Sequence, residues 1–271
     1  MIDENSKREE VLEAVRRNGY ALQLASEELK NDREVVMKAV KESAGALEYA
    51  SKELQRDREF VLEAVKKNGE VLGYASLKLR GDREIVLESV KNNGYAMMLT
   101  AGGFWGDREI ILQAVKHDGG YLKYASEELK RDREVVLEAV KKYGYAFEYA
   151  SKDLRNDRKF VLEAVKRHGF ALEFSSEEFK GDREVVMEAV RQNGYALQLA
   201  SEDLKNDREV VLEAVKKDHL SLKYASEELQ CDRQIVTEAL KKDSFYALEC
   251  VPKSIIDEIV NCWIDCMEAQ K

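Results

Sequence analysis

Proline occurs once in the 271 residues, histidine three times, and no cysteine stands before Cys231. A chain so poor in proline has no polyproline tract and few enforced helix breaks. The late cysteines exclude a disulfide framework over most of the length. Nowhere does the chain approach the roughly 18 consecutive apolar residues of a membrane span. Its first residues, Met1 to Lys7, are charged where a secretory signal carries an apolar stretch, so the expected location is cytoplasmic and the cysteines are expected as thiols. The glycines are mostly spaced singly and form no phosphate-binding loop. His117, His168 and His219 fall at three different points of the pattern described next and read as surface substitutions rather than as a catalytic or metal constellation. The expectation is a chain that is not an enzyme and holds no cofactor or metal.

What is present is a repeat. Asp-Arg recurs every 25 residues, at Arg33, Arg58, Arg83, Arg108, Arg133, Arg158, Arg183, Arg208 and Arg233 with the aspartate before each, and Lys7-Arg8 is an altered tenth copy upstream. A short fixed period means that each unit is a supersecondary motif unable to bury its apolar face alone, so copies stack and share a core. The predicted organisation is a lead-in over residues 1–6, ten repeats over 7–256, and a capping helix over 257–271.

In the copy Asp132–Asn156, the apolar residues Val135, Val136, Leu137, Ala139 and Val140 have helical spacing. Asp132 is placed to cap this helix, Glu134 lies in its first turn and Lys141-Lys142 in its last, the charge order that a helix dipole favours. Gly144 reads as a C-terminal stop. A second short helix follows, from Tyr145 to Ala150. In the last copy Pro252 comes into register with Ser151, so this helix is expected to end there and a separate turn to carry Leu154 onward. The first and fifth residues of the second helix trade bulk: Tyr20, Tyr95 and Tyr195 accompany Leu24, Leu99 and Leu199, whereas Gly45, Glu70 and Gly120 accompany Tyr49, Tyr74 and Tyr124. Four residues apart on an α-helix, these share one face, and the compensation assigns the aromatic ladder to the core.

The pattern DREVVLEAVKK, then glycine, then Tyr-Ala-Ser resembles the helical repeats known as domain of unknown function 4116 from Lys7 to about Ile256. The resemblance implies an all-α fold, an alpha-solenoid of about ten two-helix repeats in a superhelical stack. It implies no activity.

Three features bear on function. Each repeat arginine sits near a helix N-terminus, where its charge opposes the dipole. It belongs either to a salt-bridge ladder with acidic neighbours such as Asp32, Glu34 and Asp57, or to a row that receives a partner's anions. Pairs such as Arg16-Arg17, Lys66-Lys67 and Lys141-Lys142 rim one edge with positive charge. The formal net charge of -9 and the absence of interleaved aromatics make nucleic acid an unlikely ligand. The fourth copy replaces polar residues with Met98 and Trp105, beside Phe104, and Leu77 in the preceding copy does the same. These four residues are the candidate partner-binding positions, unless Trp105 folds over Gly102-Gly103 and packs on Leu77. Near the C-terminus, Cys231, Cys250, Cys262 and Cys266 lack paired CxxC spacing and read as small buried hydrophobes rather than zinc ligands. The expected function is a non-enzymatic repeat scaffold that binds an unidentified protein or peptide. The alternative is a self-assembling structural component.

Overall fold

A computed structural model describes residues 2–241. Pro252, Cys250, Cys262, Cys266 and the expected capping helix lie outside the described residues. The chain divides into two compact units, Met1–Leu129 and Lys130–Lys271, each built from the same repeat. All regular structure among the described residues is helical.

A repeat contains three helical segments rather than two. In the sixth, an α-helix spans Arg133–Lys142, a 3₁₀ helix Gly144–Tyr149, and a one-turn α-helix Lys152–Arg155. The long helix buries Val135, Val136, Ala139 and Val140, while Leu137 is only half-buried. Its N-terminus is capped as expected: Asp132 Oδ1 accepts the N–H groups of Glu134 and Val135 at 3.0 and 3.1 Å. The one-turn helix begins at Ser151, whose hydroxyl accepts the Leu154 N–H.

The middle segment departs from expectation, and the reason is length. Only six residues separate two extended positions, Tyr143 and Ala150. A 3₁₀ helix rises about 2.0 Å per residue against about 1.5 Å for an α-helix, so it spans this gap with fewer residues. Its side chains then repeat every third residue. Gly144, Phe147 and Ala150 are buried on one side, whereas Tyr145 and Glu148 share an exposed side. The aromatic ladder therefore lies on the surface, not in the core. Tyr20 is 49% exposed, Tyr95 55% and Tyr124 49%.

The glycine after each long helix is also not a left-handed cap, since the only glycine with positive φ among the described residues is Gly102. The preceding residue turns extended instead, and its side chain caps the 3₁₀ helix: Asn68 accepts from the Glu70 N–H, Asn93 from Tyr95 and Asp218 from Leu220. His168 holds the same place, accepting from the Phe170 N–H at 3.4 Å, and burial lowers its pKa. It is structural, not a surface substitution. Glycine is required because the next repeat comes close: a β-carbon at Gly194 would lie 2.5 Å from the Ala214 carbonyl oxygen, and one at Gly69 2.5 Å from that of Ser89. Where the position is Ala44 or His219, the stack accommodates a side chain.

Neighbouring turns are joined through the backbone. The Ser51 N–H donates to the Lys30 carbonyl at 2.9 Å and the Ser201 N–H to that of Lys180 at 2.9 Å. At the start of the array, Glu10 replaces the apolar residue that other repeats bury, such as Val35, Phe60 or Ile85, and its carboxylate accepts the Lys7 N–H. The first helix thereby presents a charge where later helices present an apolar contact.

Candidate interaction surface

Each of the first nine repeats exposes a polar face on its long helix and a mixed aromatic face on its 3₁₀ helix. On the polar face, arginines reach acids of the next repeat. Arg158 donates through Nε to Asp182 Oδ2 at 2.7 Å and through Nη2 to Glu184 Oε2 at 2.7 Å, both in the next repeat. Arg8, Arg58, Arg83 and Arg183 make the same fork. Arg208 meets Asp232 and Gln234. Arg33 and Arg133 pair with Asp57 and Asp157, and each guanidinium also lies over a phenylalanine, at 5.3 Å from the Phe60 ring and 4.5 Å from the Phe160 ring.

One aspartate thus performs two tasks. Asp182 Oδ1 accepts the N–H groups of Glu184 and Val185, closing its own helix, while its carboxylate receives Arg158 from the repeat before. This arrangement holds Asp182 below its ordinary pKa and raises Arg158, with the Arg158–Asp182 hydrogen bond as the first cause of each. The arginines remain about half exposed, 45% for Arg158, so each pair adds little stability through charge alone. Its main effect is registry: a fork reaching two acids fixes how one repeat sits on the next. Replacing Asp182 with alanine removes the cap and should cost about 1 kcal/mol, whereas asparagine keeps an accepting oxygen and should cost less. Urea midpoints of the two variants test this order.

Between successive long helices lie shallow grooves floored by methionine or leucine. One of about 450 Å³ is lined by Arg33, Met37, Lys38, Lys41, Phe60 and Glu63, and one of about 410 Å³ by Arg183, Met187 and Arg191. The basic residues ending these helices, among them Lys66, Lys67, Lys141 and Lys142, are exposed.

The four candidate residues have different fates, and Met98 alone lies on the 3₁₀ helix of Gly94–Leu99. Leu77 is 72% exposed and Met98 48%. Met98 follows Tyr95 by three residues and so stands on the same exposed side of the 3₁₀ helix. Phe104 is half-buried, its ring 3.4 Å from where a Gly102 β-carbon would be. Trp105 is half-buried against Tyr124, with ring centroids 5.2 Å apart. Leu77 stays largely exposed, and the ring contact of Trp105 is with Tyr124. Elsewhere the residue at the Trp105 place binds carbonyls at the end of a 3₁₀ helix: Gln55 donates to those of Leu47 and Ala50, and Arg80 to that of Leu99. Tyrosines that the α-helical reading placed inside extend this face, and only the threefold period of the 3₁₀ helix reveals them. Cys231 is a half-buried thiol in a turn, and no cluster of three potential metal ligands occurs among the described residues.

The model of one family, described as a domain of unknown function (DUF4116), matches residues 7–55, 57–99, 107–155, 157–205 and 207–256. The chain belongs to this family. Each matched segment contains two helical repeats, or most of two, so the family unit is a pair of the 25-residue motifs. No curated protein and no solved structure matches the chain. No helix among the described residues is long and apolar enough to cross a membrane.

Proposed function

We propose that this DUF4116 chain is a non-enzymatic, cytoplasmic repeat scaffold that binds another protein through its 3₁₀ face. The observation that carries this reading is the set of large apolar side chains left exposed there, including Tyr20, Leu24, Tyr74, Tyr95, Met98 and Tyr124. They recur at the repeat spacing along a folded core that has no need of them. Half-exposed tyrosine offers contact area, a hydroxyl and little rotamer entropy to lose, which suits recognition. The arginine row is a weaker docking candidate because its acids already occupy it.

Self-assembly is the competing function, and mass measured over a concentration series separates the two. A constant monomer supports partner binding; growth into higher oligomers supports self-assembly. Affinity capture from native cytosol with wild type, Met98→Glu and Trp105→Ala tests the surface. The expected result is a specific partner lost with Met98→Glu, whose exposed side chain leaves the fold intact, and weakened with Trp105→Ala. Undiminished capture by both helical variants would remove these residues from the site.

A further inference from the structure

The 3₁₀ face of the first unit contains a cluster that its counterpart in the second unit explains. Tyr20 and Tyr49, from successive repeats, meet edge to face with ring centroids 6.3 Å apart and an interplanar angle of 79°. Tyr195 and Tyr224 occupy the same two places in the second unit and meet in the same way, at 6.1 Å and 71°. There the residue before the second tyrosine is Lys223, whose ammonium lies 5.7 Å from the Tyr195 ring centroid and 4.9 Å from that of Tyr224. The pair of rings holds a cation supplied by the chain itself. Beside the Tyr20–Tyr49 pair the residue at that place is Glu48. The charge is reversed, and no lysine among the described residues covers this tyrosine pair.

Two further features enlarge the first-unit pair into a cage. Gly45 removes the side chain that would stand between repeats: a β-carbon there would lie 2.8 Å from Tyr20 Oη and 3.2 Å from Tyr74 Oη. Tyr74, from the third repeat, therefore closes over the glycine beside Tyr20. Glu70 stands in the third repeat where five other copies among the described residues carry an aromatic; its carboxylate accepts the Asn93 amide at 3.0 Å. The Glu48 carboxylate has no hydrogen bond or ion pair among the described residues. Burial first, then the negative charge of this neighbourhood, raises the Tyr74 pKa.

We infer that Tyr20, Tyr49 and Tyr74, with Glu48 and Glu70 at the rim, form a binding site for a lysine or arginine side chain on a basic segment of a partner protein. Ring faces attract a cation through their quadrupoles, and the two carboxylates complement its charge. The inference deepens the scaffold reading and rests on it by naming the chemistry of the partner.

The probe is fluorescein-labelled octalysine, with octaglutamate as control, followed by anisotropy and by ring resonances of ¹³C-labelled tyrosine at about 0.15 M salt. Octalysine should bind saturably and shift the rings of Tyr20, Tyr49 and Tyr74; octaglutamate should not. Glu48→Lys recreates the Lys223 arrangement and should abolish binding. Tyr49→Leu leaves the charge unchanged and should weaken it about 5-fold, in the range of a cation–π contact. Glu178→Lys, an equal charge change at an exposed site in the second unit, should retain wild-type affinity within about 2-fold. Wild-type affinity in both cage variants, or binding without tyrosine shifts, would overturn the cage. Partner capture sensitive to Met98→Glu would then still support the scaffold, so the two failures are distinguishable.

Discussion

Phe147→Ala should destabilise the second unit by about 3–5 kcal/mol, the cost of emptying a fully buried aromatic position. Phe147 occupies the core place of the 3₁₀ helix that is leucine in most copies, and it is completely buried. It faces Phe160 of the next repeat at 6.1 Å between ring centroids. Phe160 in turn replaces a β-branched residue and supports the Arg133 guanidinium at 4.5 Å. The two phenylalanines act as one enlarged contact, so truncating Phe147 leaves a cavity shared by two repeats and loosens the platform under Arg133. Phe147→Leu restores the usual residue but not the volume that Phe160 needs, and should cost roughly 1 kcal/mol. Thermal and urea denaturation of the three proteins, read by helix signal, should place wild type first and alanine last. Equal stability of wild type and leucine would mean that the ring pair contributes nothing beyond apolar bulk.

The second large effect is acid unfolding. Asp32, Asp57, Asp82, Asp107, Asp157, Asp182, Asp207 and Asp232 all have pKa values below the ordinary 3.8. Their carboxylates accept helix N–H groups and, in each case, an arginine of the preceding repeat. An unfolded chain binds protons on these groups at higher pH than the folded one does. Their contribution is therefore fully present above the unfolded pKa and is lost as pH falls through the folded values. Stability should be nearly level from about pH 7 to 5, then drop steeply, with helix lost near about pH 3. Each site is partly exposed and individually modest, but the same loss occurs in nearly every described repeat, and stacked repeats sum their interfaces. Urea midpoints across this pH range measure the curve. Arg158→Met with Arg183→Met should lower stability at neutral pH and flatten the acid slope, because the affected aspartates return toward their ordinary pKa. An unchanged slope would assign acid lability to other carboxylates.

Much of the candidate surface was visible in the residues, but its placement was not. Met98 and Leu77 stood out as apolar residues at polar places, and both are exposed. Trp105 stood out for the same reason, yet its contact is Tyr124, which an α-helical count assigned to the core. The bulk compensation between Tyr20 and Tyr49 was real, but it operates between an exposed and a half-buried ring of successive repeats rather than within a buried helical face. The difference between Glu48 and Lys223 carries information only once both are seen beside a tyrosine pair.

The amino-acid order alone determined the period, the long helix with its aspartate cap, the terminating turn and the need for copies to bury apolar surface jointly. Those properties depend on local propensity and on a spacing that stacking must repeat. Tertiary structure decided that the middle segment is 3₁₀, because two extended ends must be bridged by six residues. With that came a threefold rather than a 3.6-fold order of side chains, which turned the tyrosines outward. It also decided which aspartate each arginine meets, since both partners recur in every copy and only the stacking of one repeat on the next selects between them.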